Sequence, residues 1–262
     1  SKAGNTCCKA SVCFFSSAKR MCSLVMVLTQ ANNPADSTAI RVSDSSILGN
    51  VEAIFFIRKA VKDAKIAVLN FASYRNPGGK FIEGSNAQEE CLCRVSTLYP
   101  CLADQKMRAS FYTPHRKNGN TLHNDDIIYT PNVLVIKDDD HNLLSEPFSV
   151  DIISCAAPNL REQPSNQYNT GDTIKVQISD NELFALHEKR ARKIFSSAIA
   201  NGVEILILGA FGCGAFQNDP HIVAQAYKNV LPDFAHYFHT IEFAIFCNAK
   251  NIENYQVFLS II

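Results

Sequence analysis

The stretch IAVLNFASYRNPGGKFIEGSNAQEECLCRV, residues 66–95, contains the features that decide the fold. Its apolar start, residues 66–72, predicts a buried strand. A loop with Gly78, Gly79 and Gly84 follows this strand. Glycine lets a backbone turn sharply and approach a ligand closely. The loop is therefore either part of a binding site or only a turn, and its surroundings must decide between the two.

The segment after this loop predicts a helix that begins near Gln88 and is disturbed at Pro100, because proline removes a helical hydrogen bond. The inner face of this helix carries Cys91, Leu92, Val95 and Leu98. The stretch thus has the order strand, glycine loop, helix, which is the repeating unit of α/β folds.

The same alternation continues along the chain. Apolar runs predict strands at residues 39–42, 133–138, 148–158, 203–210 and 241–247. Helical periodicity predicts helices over residues 181–200 and about 219–234, and another that is capped by Ser43 or Asp44. That last helix would carry on one face Ile47, Leu48, Val51, Ile54, Phe55 and Ala60. These elements predict an α/β layered fold with a largely parallel or mixed central sheet, and ligands bind beyond the carboxyl ends of such strands.

One main domain is expected, because the chain has no internal repeat and no long linker. The segment TQANNPADST interrupts all periodicity before the regular pattern begins. We therefore expect an N-terminal appendage at residues 1–38, which could be partly helical. The domain is expected at residues 39–262. An apolar run at residues 21–28 imitates a signal peptide, but it is short and lies late in the chain.

The composition argues against several kinds of partner. Lysine plus arginine and aspartate plus glutamate number 25 each, so overall charge attracts neither nucleic acid nor an acidic membrane. No apolar run reaches the length of about 20 residues that a transmembrane helix needs. An anionic ligand would have to be held by local groups.

The ten cysteines are expected to be reduced and mostly buried, since a chain of 262 residues needs no disulfides for a stable core. No pair has the Cys-x-x-Cys spacing of zinc or redox sites. Cys7, Cys8, Cys13 and Cys22 lie close together, but without nearby histidines. We expect no metal and an intracellular, cytoplasmic protein.

A second glycine loop, GAFGCGAFQNDP at residues 209–220, follows another buried strand. Asp219 is placed to cap the next helix and Pro220 to occupy its first position. Exposed amides at a helix start bind anions. The glycine spacing matches neither the dinucleotide fingerprint nor the P-loop, so this loop alone is either a turn or a phosphate loop. Two such loops at one sheet edge favour a shared nucleotide-like site.

Glu89 and Glu90 are adjacent at the start of the helix after the first loop. Successive helical residues point about 100° apart, so the two carboxylates do not both aim at one bond. One reading is that the helix dipole stabilises both. The other is that one of them, with its pKa raised by partial burial, is the general acid of a glycosidic reaction.

Residues 69–102, LNFASYRNPGGKFIEGSNAQEECLCRVSTLYPCL, resemble the signature of the bacterial-type poly(ADP-ribose) glycohydrolases, a macrodomain family with a glycine triplet followed by Gln-Glu-Glu. The resemblance continues through DIISCAAPN at 151–159 to LGAFGCGAFQNDP at 208–220. It implies a macrodomain-like three-layer α/β fold, with a central mixed sheet flanked by helices. It also implies hydrolysis of the O-glycosidic bond of poly(ADP-ribose) or of ADP-ribosylated protein, without metal or cofactor.

The resemblance assigns roles to single residues. Glu90 would be the general acid, and Glu89 would help to hold the bound riboses. The ribose end of the site would be formed by Asn76, Gly78, Gly79, Lys80 and Gln88. The diphosphate would receive amides from Gly212, Cys213, Gly214 and Ala215. Phe216 would pack against the terminal ribose unless it is an ordinary core aromatic, and Asn218 would support the loop.

Lys80 replaces the third glycine of the family signature. Its side chain would narrow the ribose pocket, reach a phosphate, or point to solvent. Because of this residue, a reader that binds ADP-ribose without hydrolysis stays open as an alternative function. The expected partners are ADP-ribose, poly(ADP-ribose) and ADP-ribosylated proteins, with no direct nucleic-acid or membrane binding, and a monomer is expected.

The remaining polar residues are expected to have no catalytic role. Three histidines in the middle segment are interpreted as solvated loop residues: His115, His123 and His141. Asp125 and Asp126 are interpreted as turn or surface residues rather than metal ligands. The acidic run at residues 138–140 is interpreted as a solvated strand end.

Overall fold

The computed structural model describes residues 23–28, 38–45, 53–55, 57–58, 61, 63–163, 176–246 and 252–262. These residues contain the strands β1 (Ser23–Leu28), β2 (Thr38–Ser45), β3 (Ile66–Phe71), β4 (Ile127–Lys137), β5 (Leu143–Cys155), β6 (Ile205–Leu208) and β7 (Thr240–Phe246). The strands form one sheet in the order β1-β2-β7-β6-β3-β5-β4. Its five inner strands are parallel, and the edge strands β1 and β4 are antiparallel to their neighbours. The predicted mixed sheet is confirmed.

The helices are α1 (Gln88–Val95), α2 (Leu98–Leu102), α3 (Gln105–Met107), α4 (Thr113–Asn118), α5 (Asp180–Ala200), α6 (Pro220–Phe234) and α7 (Glu253–Ile261). Shorter turns of helix lie at Phe81–Glu83, Arg108–Tyr112 and Ala235–Tyr237, and residues 53–55 and 57–58 are also helical. The helices predicted over residues 181–200 and 219–234 are confirmed as α5 and α6.

Two hydrophobic clusters cover the two faces of the sheet. Side chains alternate along β3, because successive strand residues point to opposite faces. Ala67 and Leu69 face a cluster with α5, α6 and α7. Ile66 and Val68 face the other cluster, which includes residues of α1 and α2. The result is the expected three-layer α/β architecture.

The helix cap expected at Ser43 or Asp44 is wrong. β2 runs through both residues and pairs with β7 as far as Ser45, so strand pairing replaces the cap. The helical residues that follow are 53–55 and 57–58, and the other positions of the predicted helix lie outside the described residues.

The helix after the first glycine loop also ends earlier than Pro100. α1 stops at Val95, because Ser96 adopts an extended conformation and forms a bridge with Val135 of β4. The Ser96 hydroxyl donates to the carbonyl of Leu92 and so closes the last turn. Pro100 lies within the separate helix α2.

Part of the segment expected to be an appendage lies in the sheet. Ser23–Leu28, within the run that imitates a signal peptide, pairs with β2 as an edge strand. The division of the chain at residue 38 stays a prediction. Within the described residues, no helix combines the length and the apolar character that crossing a bilayer requires.

The cysteines of the described region carry free thiols. Those of Cys91, Cys93 and Cys155 are buried, that of Cys213 is half-buried, and that of Cys101 is exposed. The expectation of mostly buried thiols is confirmed for these five, and their reduced state stays a prediction. The cysteines of the first 22 residues lie outside the described region.

Candidate active site

A cavity of about 730 Å³ lies at the carboxyl ends of β3, β6 and β7. Both glycine loops line this cavity. The first loop follows β3 and the second follows β6. The end of β7 contributes Ala244, Ile245 and Phe246, and α7 contributes Asn254. The two loops that the sequence predicts at one sheet edge therefore share one cavity.

The first loop depends on two glycines with left-handed backbone angles. Gly78 has a φ of +66°, and a β-carbon there would lie 2.7 Å from Cδ2 of Tyr99. Gly79 has a φ of +59°, and a β-carbon there would overlap Oε1 of Glu90. Both the backbone angle and the contact exclude a side chain at these positions. Gly79 thus brings the loop backbone directly against the carboxylates.

Glu89 is fully engaged in the protein. Its Oε2 accepts a hydrogen bond from the Ser73 amide at 2.6 Å, and its Oε1 accepts one from Asn70 Nδ2 at 3.3 Å. Only 2% of its surface is exposed. Burial raises the pKa of Glu89 to about 8, and the neighbouring charge of Glu90 adds to the rise. Glu89 therefore keeps a proton at neutral pH.

Glu90 is held at one oxygen only. Its Oε1 accepts a hydrogen bond from the Lys80 amide at 2.8 Å. Its Oε2 is buried and has no hydrogen-bond partner among the described residues. A buried polar atom without a partner is rare in folded proteins and calls for an explanation. Because Glu90 lines the cavity, a ligand is the simplest partner for this oxygen.

Lys80 contacts Glu90 through its backbone amide and Glu83 through its side chain. The Lys80 ammonium lies 3.1 Å and 2.9 Å from the two carboxylate oxygens of Glu83. Its φ of −108° needs no glycine, which explains how a lysine fits where the family signature has one. Of the three orientations expected for this side chain, the structure has it along the cavity wall beside Glu83.

Gln88 and Asn76 position the first loop. The Gln88 side chain accepts from the Phe71 amide and donates to the Leu69 carbonyl, each at 2.8 Å, so it joins α1 to the end of β3. The Asn76 side-chain oxygen accepts from Arg116 of α4 at 3.2 Å. Both residues line the cavity, as expected, whereas Gly78 lies behind it against Tyr99.

The second loop presents unpaired amides. In the described part of the chain, no acceptor binds the amides of Gly212, Gly214, Ala215 and Phe216. The amide of Cys213 donates to the Ala210 carbonyl at 3.1 Å. This differs from the expectation that Cys213 offers its amide to a ligand. Free amides in the loop that leads into α6 are suited to binding an anion.

The buried Asn218 side chain holds this loop in place through hydrogen bonds. Its Nδ2 donates to the carbonyls of Pro158 at 2.8 Å and Gly212 at 3.0 Å, and also to that of Phe216. Its Oδ1 lies 2.9 Å from Nε2 of His187 on α5. Burial lowers the pKa of His187 to about 4, so a neutral imidazole donates this bond at pH 7. Asn218 supports the loop, as expected, from a buried position.

Phe216 lies between the cavity and the core. Its ring lines the cavity and packs against the hydrophobic cluster, and its contact with a ribose stays a prediction. The Arg161 guanidinium lies 5.9 Å from the centre of the ring. Arg161 also lines the cavity, and it places a positive charge near the free amides of the second loop.

Two of the histidines expected to be solvated are buried. His123 has a φ of +63°, stacks on Tyr74 and lies 2.8 Å through Nδ1 from the Ala157 carbonyl. Burial lowers its pKa to about 3. His115 lies 3.0 Å through Nε2 from Asp126. These contacts with distant segments could not be expected from the polar local sequence. His141 is exposed, as expected.

The aspartates of the middle segment form ion pairs. Asp125 pairs with Lys189 at 2.5 Å and with the buried Arg190 at 3.3 Å. Within the described residues, no three metal-ligating side chains come together. The acidic run at residues 138–140 lies at the turn between β4 and β5, where Asp138 accepts from the Asn142 amide.

Several residues of the site could not be found from the sequence. Asn70, Ser73 and His187 hold the carboxylates or the phosphate loop, yet each is a common residue without a motif around it. Arg161 follows the matched segment 151–159 by two positions. The position of Arg161 just after β5 is the sequence feature that could have indicated it as a binding residue, because ligands bind beyond the carboxyl ends of such strands.

Comparisons with known proteins agree with this geometry. A family model described as "Microbial-type PARG, catalytic domain" matches residues 4–138. The crystal structure of poly(ADP-ribose) glycohydrolase from Thermomonospora curvata is 34% identical with a TM-score of 0.74, over 90% of this chain and 79% of that chain. The same enzyme bound to the inhibitor ADP-HPD is 32% identical with a TM-score of 0.71, over 84% and 78% of the two chains.

A third similar structure is the poly(ADP-ribose) glycohydrolase from Deinococcus radiodurans in complex with ADP-ribose. It is 31% identical with a TM-score of 0.69, over 83% of this chain and 82% of that chain. A search of curated proteins gives no match. The structural similarity covers 83–90% of this chain and so extends well beyond the residues that the family model matches.

Proposed function

Because the chain belongs to the microbial-type poly(ADP-ribose) glycohydrolase family, we propose that it hydrolyses poly(ADP-ribose) with Glu90 as the general acid. The observation that carries the role of Glu90 is its unequal pair of oxygens. Oε1 is held by the Lys80 amide, and the buried Oε2 has no partner among the described residues. One oxygen is thus fixed and the other is available for proton transfer to a substrate.

The cavity offers a place for each part of ADP-ribose. The free amides of the second loop and the Arg161 guanidinium favour binding of the diphosphate. The end of β7 is apolar, and the half-exposed Phe246 offers a ring face on which a base can stack. The ribose that carries the scissile bond then lies beside Gly79 and Glu90, with Phe216 packed against it.

The reaction follows from these positions. Glu90 donates its proton to the oxygen that leaves the anomeric carbon, while the C–O bond breaks and the ribose gains oxocarbenium character. Water attacks the anomeric carbon and loses its proton to the Glu90 carboxylate, which restores the acid. The products are ADP-ribose and the shortened polymer.

Glu89 supports this acid by staying neutral. Its pKa of about 8 removes one negative charge from a site that has to accept a diphosphate. Substrate binding adds further negative charge and excludes water, and both effects favour the protonated form of a carboxyl group. We expect Glu89 to position riboses and the first loop and Glu90 to transfer the proton.

The test measures release of free ADP-ribose from poly(ADP-ribose) by the wild type, Glu90→Gln and Glu146→Gln. Glu146 is an exposed glutamate on β5 and is the matched control. We expect Glu90→Gln to lower the rate by about 100-fold or more, because general acid catalysis contributes at least that much. The control should keep the wild-type rate.

Binding of ADP-ribose separates the outcomes. Glu90→Gln should still bind it, because the phosphate and base contacts are unchanged. If the wild type bound ADP-ribose but released none from polymer or from mono-ADP-ribosylated protein, the chain would be a reader rather than an enzyme. Activity retained in Glu90→Gln would rule out Glu90 as the acid.

A further inference from the structure

The order of the strands indicates in which order the parts of a bound ADP-ribose lie along the cavity. β7, β6 and β3 are neighbours in that order, about 4.8 Å apart. On the proposed function, on which this inference rests, the base lies at the end of β7, the diphosphate at the loop after β6, and the reacting ribose at the loop after β3. The leaving side of the scissile bond therefore lies beyond the acid, where the β3 loop continues into Lys80 and Glu83.

Lys80 is directly beside the acid. Its amide donates to Oε1 of Glu90, and both Lys80 and Glu83 line the cavity. On the proposed function, the cation therefore lies on the leaving-group side of Glu90.

The ion pair between this cation and Glu83 is easily exchanged. Lys80 and Glu83 are three residues apart on one turn, with side-chain exposures of 24% and 55%. Partly exposed ion pairs of this kind contribute little, because water screens them and two flexible side chains must be ordered. A phosphate that enters the cavity can compete with the Glu83 carboxylate for the ammonium.

We propose that Lys80 binds a phosphate of the ADP-ribose unit on the leaving side of the scissile bond, in exchange for Glu83. Every unit of poly(ADP-ribose) carries a diphosphate, so a substrate of two or more units offers this partner. An ADP-ribose group attached to a protein side chain offers none. Lys80 therefore makes the site selective for polymer over mono-ADP-ribosylated protein.

The test compares the affinities of a two-unit ADP-ribose oligomer and of ADP-ribose, by calorimetry at low ionic strength. Glu90→Gln is the background, so that the oligomer stays intact. Three proteins are compared: this background, the same with Lys80→Met, and the same with Glu83→Gln. Methionine keeps an apolar stem of similar length and removes the charge. Lys80→Gly, with the residue of the family signature, is the second variant in case Lys80→Met folds poorly.

The ratio of the two affinities is the readout. With Lys80 present, we expect the oligomer to bind about 5-fold more tightly than ADP-ribose, as a charge-assisted contact at a partly exposed site allows. Lys80→Met and Lys80→Gly should lower this ratio to about 1. Glu83→Gln should raise it, because the competing carboxylate is gone, and added salt should lower it.

An unchanged ratio in Lys80→Met would overturn the inference, and so would a higher ratio, which would mean that the lysine obstructs the pocket. In both cases ADP-ribose itself would still bind, so neither result would contradict the proposed function. Failure of the Glu90→Gln background to bind ADP-ribose would instead contradict the proposed function, and the inference with it.

Discussion

Glu89 and Glu90 are adjacent in sequence, yet their surroundings give them different chemistry. Glu89 accepts hydrogen bonds at both oxygens, from Ser73 and Asn70. Glu90 accepts one, from the Lys80 amide. The difference arises because the two side chains leave the first turn of α1 in different directions, one toward β3 and the other toward the glycine loop. A general acid needs an oxygen free for its substrate, and only Glu90 has one.

Gly79→Ala tests whether close packing of the first glycine loop against Glu90 is needed for turnover. The new β-carbon would overlap Oε1 of Glu90, at a φ of +59° that alanine rarely adopts. We expect a loss of about 100-fold in turnover and about 1–2 kcal/mol in stability. Gly202→Ala is the control, since Gly202 has a φ of +67° but open space around it. It should lose about 1 kcal/mol and keep its turnover; equal turnover in both variants would contradict the fitted contact.

Glu89→Gln tests the raised pKa of Glu89. In the folded protein this pKa is about 8, against 4.5 for an ordinary glutamate. The folded state therefore binds the extra proton, and the wild type loses stability as pH rises from about 4.5 to 8. Glutamine does not titrate, so the stability of the variant relative to wild type should rise by about 3–4 kcal/mol between pH 5 and pH 8. Urea unfolding at both pH values checks this, and a constant difference would contradict it.

The loop after β6 is held as a unit by one buried side chain. Asn218 joins its Gly212 and Phe216 carbonyls to Pro158, and His187 of α5 fixes the amide orientation. The free amides keep their positions because these bonds keep the carbonyls turned away. Preorganised donors of this kind bind an anion without ordering the loop at that moment.

Asn218→Ala should weaken this arrangement. The variant leaves buried carbonyls and the His187 nitrogen without a partner, so we expect a loss of about 2–4 kcal/mol in stability. The affinity for ADP-ribose should fall by at least about 10-fold, because the loop must then be ordered on binding. Asn201→Ala, which removes an exposed bond to Ser197, is the control. Equal affinity for ADP-ribose in the two variants would mean that the Asn218 hydrogen bonds are not needed for binding.

Strong local patterns made the elements predictable. The apolar run of β3 and the periodicity of α5 identify them without tertiary information, and the capping box at Ser179 and Glu182 marks the start of α5. The ends of elements were less predictable. Ser43 is a good helix cap by residue type, but pairing with β7 keeps it in a strand. Tertiary pairing decides such boundaries, and it is not visible in a single sequence.

The site was predictable to the extent that its residues form motifs. The glycines, Glu90 and the loop after β6 are contiguous in sequence and so are recognisable. Asn70, Arg161 and His187 come from three separate segments, and only the fold brings them to the cavity or behind it. Burial of His123 could not be predicted either, because its local sequence is polar.

At the scale of the whole molecule, buried titrating groups should set the pH range of stability. Burial lowers the pKa of His123 to about 3 and that of His187 to about 4, whereas it raises that of Glu89 to about 8. The two histidines destabilise the folded state as pH falls below about 6.5. Glu89 acts in the opposite direction, from about pH 4.5 to 8.

For these three groups the sum predicts a stability maximum near pH 6.5, and the raised pKa of the buried Glu242 carboxyl moves it somewhat lower. Between about pH 4.5 and 6.5 the unfolded chain holds two more protons than the folded chain on the two histidines, whereas the folded chain holds one more on Glu89. The unfolded chain therefore holds about one more proton in total. The free energy of unfolding then falls by about 1 kcal/mol for each pH unit as pH falls. Above this range Glu89 alone lowers stability as pH rises. Thermal unfolding from pH 4.5 to 8 checks the curve, with the exposed His239→Gln as control. A maximum below pH 5 would contradict it.

The most direct test of the central claim, that Glu90 protonates the leaving oxygen, uses a leaving group that needs no proton. Wild type and Glu90→Gln are compared on poly(ADP-ribose) and on ADP-ribose linked through its anomeric carbon to 4-nitrophenol. The account predicts a loss of about 100-fold or more on the polymer and a loss below about 10-fold on the nitrophenyl substrate. Equal losses on both substrates would contradict it, because Glu90 would then serve the site in some way other than as the acid.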